Sequence, residues 1–204
     1  MKQMNEGSSY KASLTREQFC FYEMRTTAKL MSENLTDDQI IEKVIKDNLF
    51  QYPTEKSVKK LSSMCIRRLK SMNDMSLVRD IALQPVDVSK QICLYAMMKD
   101  SRLIWDFMLT VIAEKYRLQD LTLTKADINV FFMRLQEQND GVASWSDSTI
   151  TKIKQILTRT LVENEYLDNN KSERLNPVLI SKVLENAIRA NNDEAALPAF
   201  NCFC

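Results

Sequence analysis

The sequence predicts an all-α protein, and three observations predict it. Only two glycines and four prolines occur in 204 residues, so the breakers that punctuate β-rich chains are scarce. Apolar residues recur every three to four positions over most of the chain. β-Branched residues seldom alternate with polar ones, as half-buried strands would require. A hydrophobic fraction of 45% is ordinary for a core-forming chain, and the length allows one large domain or two small ones.

Each element has its own local signal. The first ten residues are polar and read as a loose tail. Thr15 with Gln18 has the spacing of a capping box and opens a helix to about Asn34. Thr36, with Asp37 and Asp38 in the first turn, opens a second helix that buries Ile40, Ile41, Val44 and Ile45. It ends before Pro53, because the residue preceding proline disfavours the helical region.

Thr54 caps the most charged helix of the chain, whose core face is Val58, Leu61, Cys65 and Leu69. Lys56, Lys59, Lys60, Arg67 and Lys70 project within about 100° of one another on the opposite side, with Arg68 flanking them. Like charges this close repel, and an anionic partner would relieve the repulsion; a solvated helix face is the ordinary alternative. Helices over 74–83, 87–100 and 101–117 follow. The last, with Leu103, Ile104, Trp105, Phe107, Met108, Val111 and Ile112, is apolar nearly all round and is expected at a bundle centre. The stretch Leu118–Leu123 is the expected boundary between a six-helix N-terminal domain, residues 1–122, and a C-terminal domain, residues 123–204.

The C-terminal domain begins with Thr124 as N-cap and a helix burying Ile128, Phe131, Phe132 and Leu135. Asn139-Asp140-Gly141 is expected to stop it, Gly141 supplying a positive φ. Ser146 caps the next helix, Trp145 is placed to pack on Ile150, and Ile150, Ile153, Leu157 and Leu161 form its buried stripe. Ser148, Thr151, Lys152, Gln155 and Arg159 fall on the other side and carry hydroxyls, an amide and two cations. Such a face suits the major groove of DNA, where long donors meet phosphate and guanine and glutamine meets adenine; it also suits a plain soluble helix. Tyr166-Leu167 and Arg174-Leu175 around a polar loop read as the short hairpin of a winged helix-turn-helix, and Asn176-Pro177 as the start of a last helix to about Ala190.

Composition narrows the function classes. Net charge is +1, with 19 cations against 16 anions in residues 1–122 and 9 against 11 in the rest. A polyanion partner would therefore have to meet local patches. Without a histidine there is no His-based triad or metal site, and two glycines cannot build a phosphate-binding loop. No enzyme and no cofactor are expected. Five cysteines without a C-x-x-C pair read as reduced cytosolic thiols, and the Cys202-x-Cys204 ending is a weak metal candidate. The chain opens without a signal peptide, and its most apolar run, Leu103 to Ala113, is too short to span a bilayer. A cytoplasmic protein with no membrane partner is expected.

Three segments, Asp47–Leu69 (DNLFQYPTEKSVKKLSSMCIRRL), Lys90–Arg117 (KQICLYAMMKDSRLIWDFMLTVIAEKYR) and Asp127–Leu167 with its WSDSTITKIKQIL core, together resemble the BrxA family. BrxA is the small first component of BREX (bacteriophage exclusion) phage-defence systems. The likeness covers about residues 8–185, and none of its segments is a catalytic signature. It implies a helical protein whose N-terminal part is similar to NusB, the RNA-binding antitermination factor, and a role in phage defence with binding to double-stranded DNA. On this reading Lys56, Lys59, Lys60, Arg67, Arg68 and Lys70 meet phosphates, while Ser148, Thr151, Lys152, Gln155 and Arg159 enter or straddle the major groove. The alternatives are an adaptor docking on other BREX proteins, or an RNA-binding NusB-like factor.

Overall fold

The computed structural model describes residues 9–203, which form eleven α-helices and no strand, with a long irregular segment, residues 164–181, before the last helix. The all-α expectation holds. Two units emerge, one from Phe19–Asp100 and one from Met1–Gln18 with Ser101–Cys204. The boundary expected at Leu118–Leu123 thus falls inside the second unit. Its neighbours explain why: Leu123 N donates to Glu173 O, and Tyr116 donates its hydroxyl to Asn176 O, so both sides of the turn are tied to the same later segment.

The first unit holds α1 (Phe21–Ser32), α2 (Asp37–Lys46), α3 (Glu55–Ser71), α4 (Met75–Leu83) and α5 (Val86–Asp100). α3 packs on α1, α2 and α5, and α4 on α1 and α5. Met24, Ile40, Val44, Val58, Cys65, Leu69, Ile81 and Ile92 are among its buried core. Seven consecutive α5 residues, Ile92 to Met98, are fully buried at the centre of this unit; in the other unit Leu103, Ile104, Trp105, Phe107, Met108, Val111 and Ile112 are buried as expected.

Thr36 caps α2 as expected and also closes a capping box with Gln39, and Thr54 accepts from Ser57 N. The box expected at Thr15 and Gln18 does not form. Thr15 ends a 3₁₀ turn over Ala12–Thr15, and its hydroxyl donates to Ala12 O. Cys20 is left-handed at φ 53°, which delays α1 to Phe21 while Leu14 and Phe19 are buried to either side. Burial pushes the Cys65 and Cys93 thiols up, so neither is a thiolate at neutral pH. Native-state alkylation at pH 7.5, mapped by mass spectrometry, is expected to label the partly exposed Cys20 and Cys202 and to spare Cys65 and Cys93. Equal labelling of all four would show that the core opens readily.

In the second unit, α6 (Arg102–Phe107) runs through a π-helical turn over Met108–Ile112 into α7 (Ala113–Arg117). Of the ten-residue tail expected at the start, residues 1–8 lie outside the described ones. Tyr10 is anchored instead: its hydroxyl donates to Asp106 at 2.6 Å, and the Arg102 guanidinium lies 4.7 Å from its ring centroid. Burial, then the bond to Asp106, pushes its hydroxyl up to about 12.

The expected helix–break–helix is present as α8 (Lys125–Gln138), a one-turn α9 (Asp140–Ala143) and α10 (Asp147–Glu163). Thr124 and Asp127 close a capping box on α8, and Ser146 caps α10. The break is built differently from expectation, because Gly141 has no positive φ. Asn139 instead caps α9, its Oδ1 accepting from Val142 N, and a Cβ on Gly141 would stand 3.0 Å from that oxygen. With any larger residue there, the capping side chain would have to give by a few tenths of an ångström.

The wing hairpin is absent as such. Arg174 forms an antiparallel bridge with Thr122 rather than with the Tyr166-Leu167 side. Tyr166, Leu167 and Leu175 are all buried, which leaves no exposed alternate face for a two-stranded ribbon. The last long helix, α11 (Lys182–Ala190), starts later than expected, with Ser181 as its cap. Asn176 lies five residues before that cap, and its side-chain amide instead donates to Glu165 O and Asp168 Oδ1.

Candidate nucleic-acid interface

α10 is amphipathic because its apolar residues keep helical spacing. Ile150, Ile153, Ile156, Leu157 and Leu161 are buried, and Thr160 with them. Ser148, Thr151, Gln155 and Arg159 are exposed and Lys152 is half-buried, so the structure brings all five residues to the outer side of one helix. Two exposed carboxylates, Asp147 and Glu163, stand at its ends, so the face is free of acid only along its middle turns.

Beside that face, α8 and α10 enclose a groove of about 460 Å³ that the sequence did not foretell. Thr151, Gln155 and Arg159 form part of one wall; Lys125 and Asn129 from α8, Lys154, and Asn170 from the following loop complete it. Lys154 is half-buried, donates to Asn129 Oδ1 at 2.8 Å and lies 5.3 Å from the Phe132 ring centroid. None of Lys125, Lys154 and Arg159 makes an ion pair among the described residues. The one local signal for this groove is that Lys154 and Thr158 sit at i and i+4 on the flank of α10.

The α3 stripe is more divided than its spacing suggests. Lys56, Lys59 and Lys60 are exposed and make no ion pair among the described residues. They ride the first two turns, where the positive end of the helix dipole adds to their field. Arg67 is instead locked on Asp100, with Nε–Oδ1 at 2.8 Å and Nη2–Oδ2 at 2.9 Å. Lys70 meets Asp37 at 2.6 Å. Arg68 does not join the face at all: it is 1% exposed, 3.7 Å from Asp100 and bonded to Phe19 O at 3.3 Å. α3 has neighbours on three sides, so its buried arc is wide enough to take in the flanking residue.

A second cleft in this unit, about 530 Å³, gathers Asp106, Glu114, Asp120 and Asp127. Each is already matched to a cation: Asp106 to Arg102, Glu114 to Arg117, and both Asp120 and Asp127 to Lys115. The bond from Lys115 holds the Asp120 carboxyl below the usual carboxylate range. Each carboxylate of the cleft is thus charge-compensated, and Asp120 is poorly suited to donating a proton at neutral pH. Among the described residues no group of three or more acidic or thiol side chains is placed to hold a metal ion, and no helix is long and apolar enough to cross a membrane. Cys204, half of the candidate C-terminal metal pair, lies outside the described residues.

The BrxA family model matches residues 8–192. "BREX protein BrxA" of Bacillus cereus (strain H3081.97) is 38% identical over 186 residues, covering 90% of this chain and 92% of that protein. The protein of the same description in Paramagnetospirillum magneticum (strain ATCC 700264 / AMB-1) is 28% identical, covering 91% and 92%. Among solved structures, that of an uncharacterized protein from Magnetospirillum magneticum superposes with a TM-score of 0.81. It is 26% identical and covers 95% of this chain and 98% of that one.

Proposed function

The chain belongs to the BrxA family, and from that premise we propose that it is a non-catalytic, double-stranded DNA-binding component of a BREX phage-defence system. It binds mainly through phosphates and reads little sequence. The observation that carries the reading is the outer side of α10, where two cations, an amide and two hydroxyls share one face of a helix preceded by a tight break. That is the layout of a reading helix in a helix-turn-helix. One glutamine and two cations specify few bases, since each well-formed bidentate pair discriminates by only about 1–3 kcal/mol. Lys56, Lys59 and Lys60 offer a second phosphate-binding patch on α3.

Fluorescence anisotropy with duplex DNA, single-stranded DNA and RNA over a salt series tests the proposal. Duplex is expected to bind tightest. Three lysines on α3, or four cations on and beside α10, give a log–log salt slope of about −3 to −4 for either face alone. Replacing Lys56, Lys59 and Lys60 with glutamate is expected to flatten that slope by about 3 if α3 meets the duplex, and to leave it unchanged if α10 alone does. Arg67→Ala and Lys70→Ala are expected to change it little, because Asp100 and Asp37 already hold those cations.

A second reading, an adaptor for other BREX proteins, is favoured by exposed apolar side chains at Leu118, Val130 and Met133. Absence of binding to any of the three polymers near 100 mM salt would leave that reading standing and remove the first. A preference for RNA hairpins would point instead to a NusB-like factor.

A further inference from the structure

The groove between α8 and α10 has a chemistry that duplex binding does not require. Its walls carry three cations and no carboxylate. Elsewhere in the same unit Arg102, Lys115, Arg117, Lys182 and Arg189 each sit against an acid. Lys154 is the most telling of the three. Its ammonium carries three donors, one of which is spent on Asn129, and half-burial costs it part of its hydration. An anion in the groove would compensate that charge through charge-assisted hydrogen bonds.

The remaining walls are not generic for an anion. Gln155 and Asn170 add carboxamides, each pairing a donor with an acceptor as a base edge does, and Ile128 supplies an apolar patch. Arg159 offers a planar guanidinium that can stack on a base. A volume of about 460 Å³ lies within the usual range for small-ligand sites, far above what a lone phosphate fills. We infer that this groove binds a single nucleotide unit, with its phosphate on Lys125 and Lys154 and its base against Gln155, Asn170 and Arg159. The unit comes either as a free nucleotide or as an unpaired nucleotide of a nucleic acid. A base paired and stacked within a duplex cannot enter the groove without leaving the stack. The groove shares Gln155 and Arg159 with the proposed duplex-binding face of α10, and its use differs from duplex binding in requiring an unpaired base.

Calorimetric titrations of the full chain with AMP, ATP and inorganic phosphate test the free form. 2-Aminopurine emission, from a single strand and from a duplex with one extrahelical 2-aminopurine, tests the polymer form. At least one arm is expected to respond, and AMP or ATP to bind at least about tenfold tighter than phosphate if it is the first. Lys154→Met, which keeps the stem over Phe132, and Lys125→Ala are each expected to weaken the response about tenfold, with circular dichroism melts confirming the fold. Silence in both arms would overturn the inference, as would nucleotide binding no tighter than phosphate, or two variants that bind like the parent. Duplex binding with a silent extrahelical base and no free-nucleotide binding would sink the groove alone and leave the DNA-binding proposal intact.

Discussion

Arg68→Ala is expected to destabilise the first unit by about 3–5 kcal/mol, the usual cost of breaking a buried ion pair from one side. The guanidinium is 1% exposed, 3.7 Å from Asp100 and bonded to the Phe19 carbonyl, and Arg68 is among the largest fully buried side chains of the chain. Alanine removes the counter-charge beneath Asp100 and leaves a cavity among α1, α3 and α5. Three companions separate these causes. Arg67→Ala removes the outer guanidinium from the same carboxylate, but that side chain is about half exposed, so a loss of only about 1 kcal/mol is expected. Arg68→Met refills the volume without the charge and is expected to recover much of the loss, as apolar replacements of buried ion pairs do. Asp100→Asn leaves Arg68 buried without its anion and is expected to match the alanine variant. Urea unfolding followed by far-ultraviolet circular dichroism ranks all four. Equal midpoints for Arg67→Ala and Arg68→Ala would show that the two arginines share one solvated environment.

Arg68 also marks where sequence reasoning stops. Signals confined to three or four residues were legible: the Thr36, Thr54, Thr124 and Ser146 caps and the buried stripe of α10 all form as spacing predicts. Those interactions need no partner beyond their own turn. Helical spacing likewise places Arg67 and Lys70 on the outer side of α3, but not the carboxylates that occupy them, each 33 residues away. The groove beside α10 was invisible for the same reason, since Lys125, Lys154 and Asn170 come from three separate segments. Local signals misled where a tertiary demand outweighed them. The Thr15–Gln18 spacing is a valid capping signal, yet burial of Leu14 and Phe19, which flank it, and a left-handed Cys20 put the helix start at Phe21. Gly141 was read as a positive-φ stop, but it has no positive φ, and a Cβ there would crowd the Asn139 cap.

The second large effect is expected on α10. Lys152→Glu/Arg159→Glu should weaken duplex binding by about 30- to 1,000-fold, since reversing two groove-facing cations forfeits about 1–2 kcal/mol each. Two features of the helix set that size. Its middle turns carry no acid, so each reversal introduces a charge where the phosphates meet none; with Asp147 and Glu163 at the ends, the whole face becomes anionic. The substitutions leave Ile150, Ile153, Ile156 and Leu157 in place, so the helix keeps its packing and the melting temperature should move little. The outcome is informative in relation to the α3 variants. Loss on α10 with an unchanged α3 triple variant assigns the duplex to the break-and-helix element. Loss on both shows that phosphates are met in two places, with a summed slope nearer −6. Loss on α3 alone removes α10 from the interface and makes its outer side an ordinary solvated face.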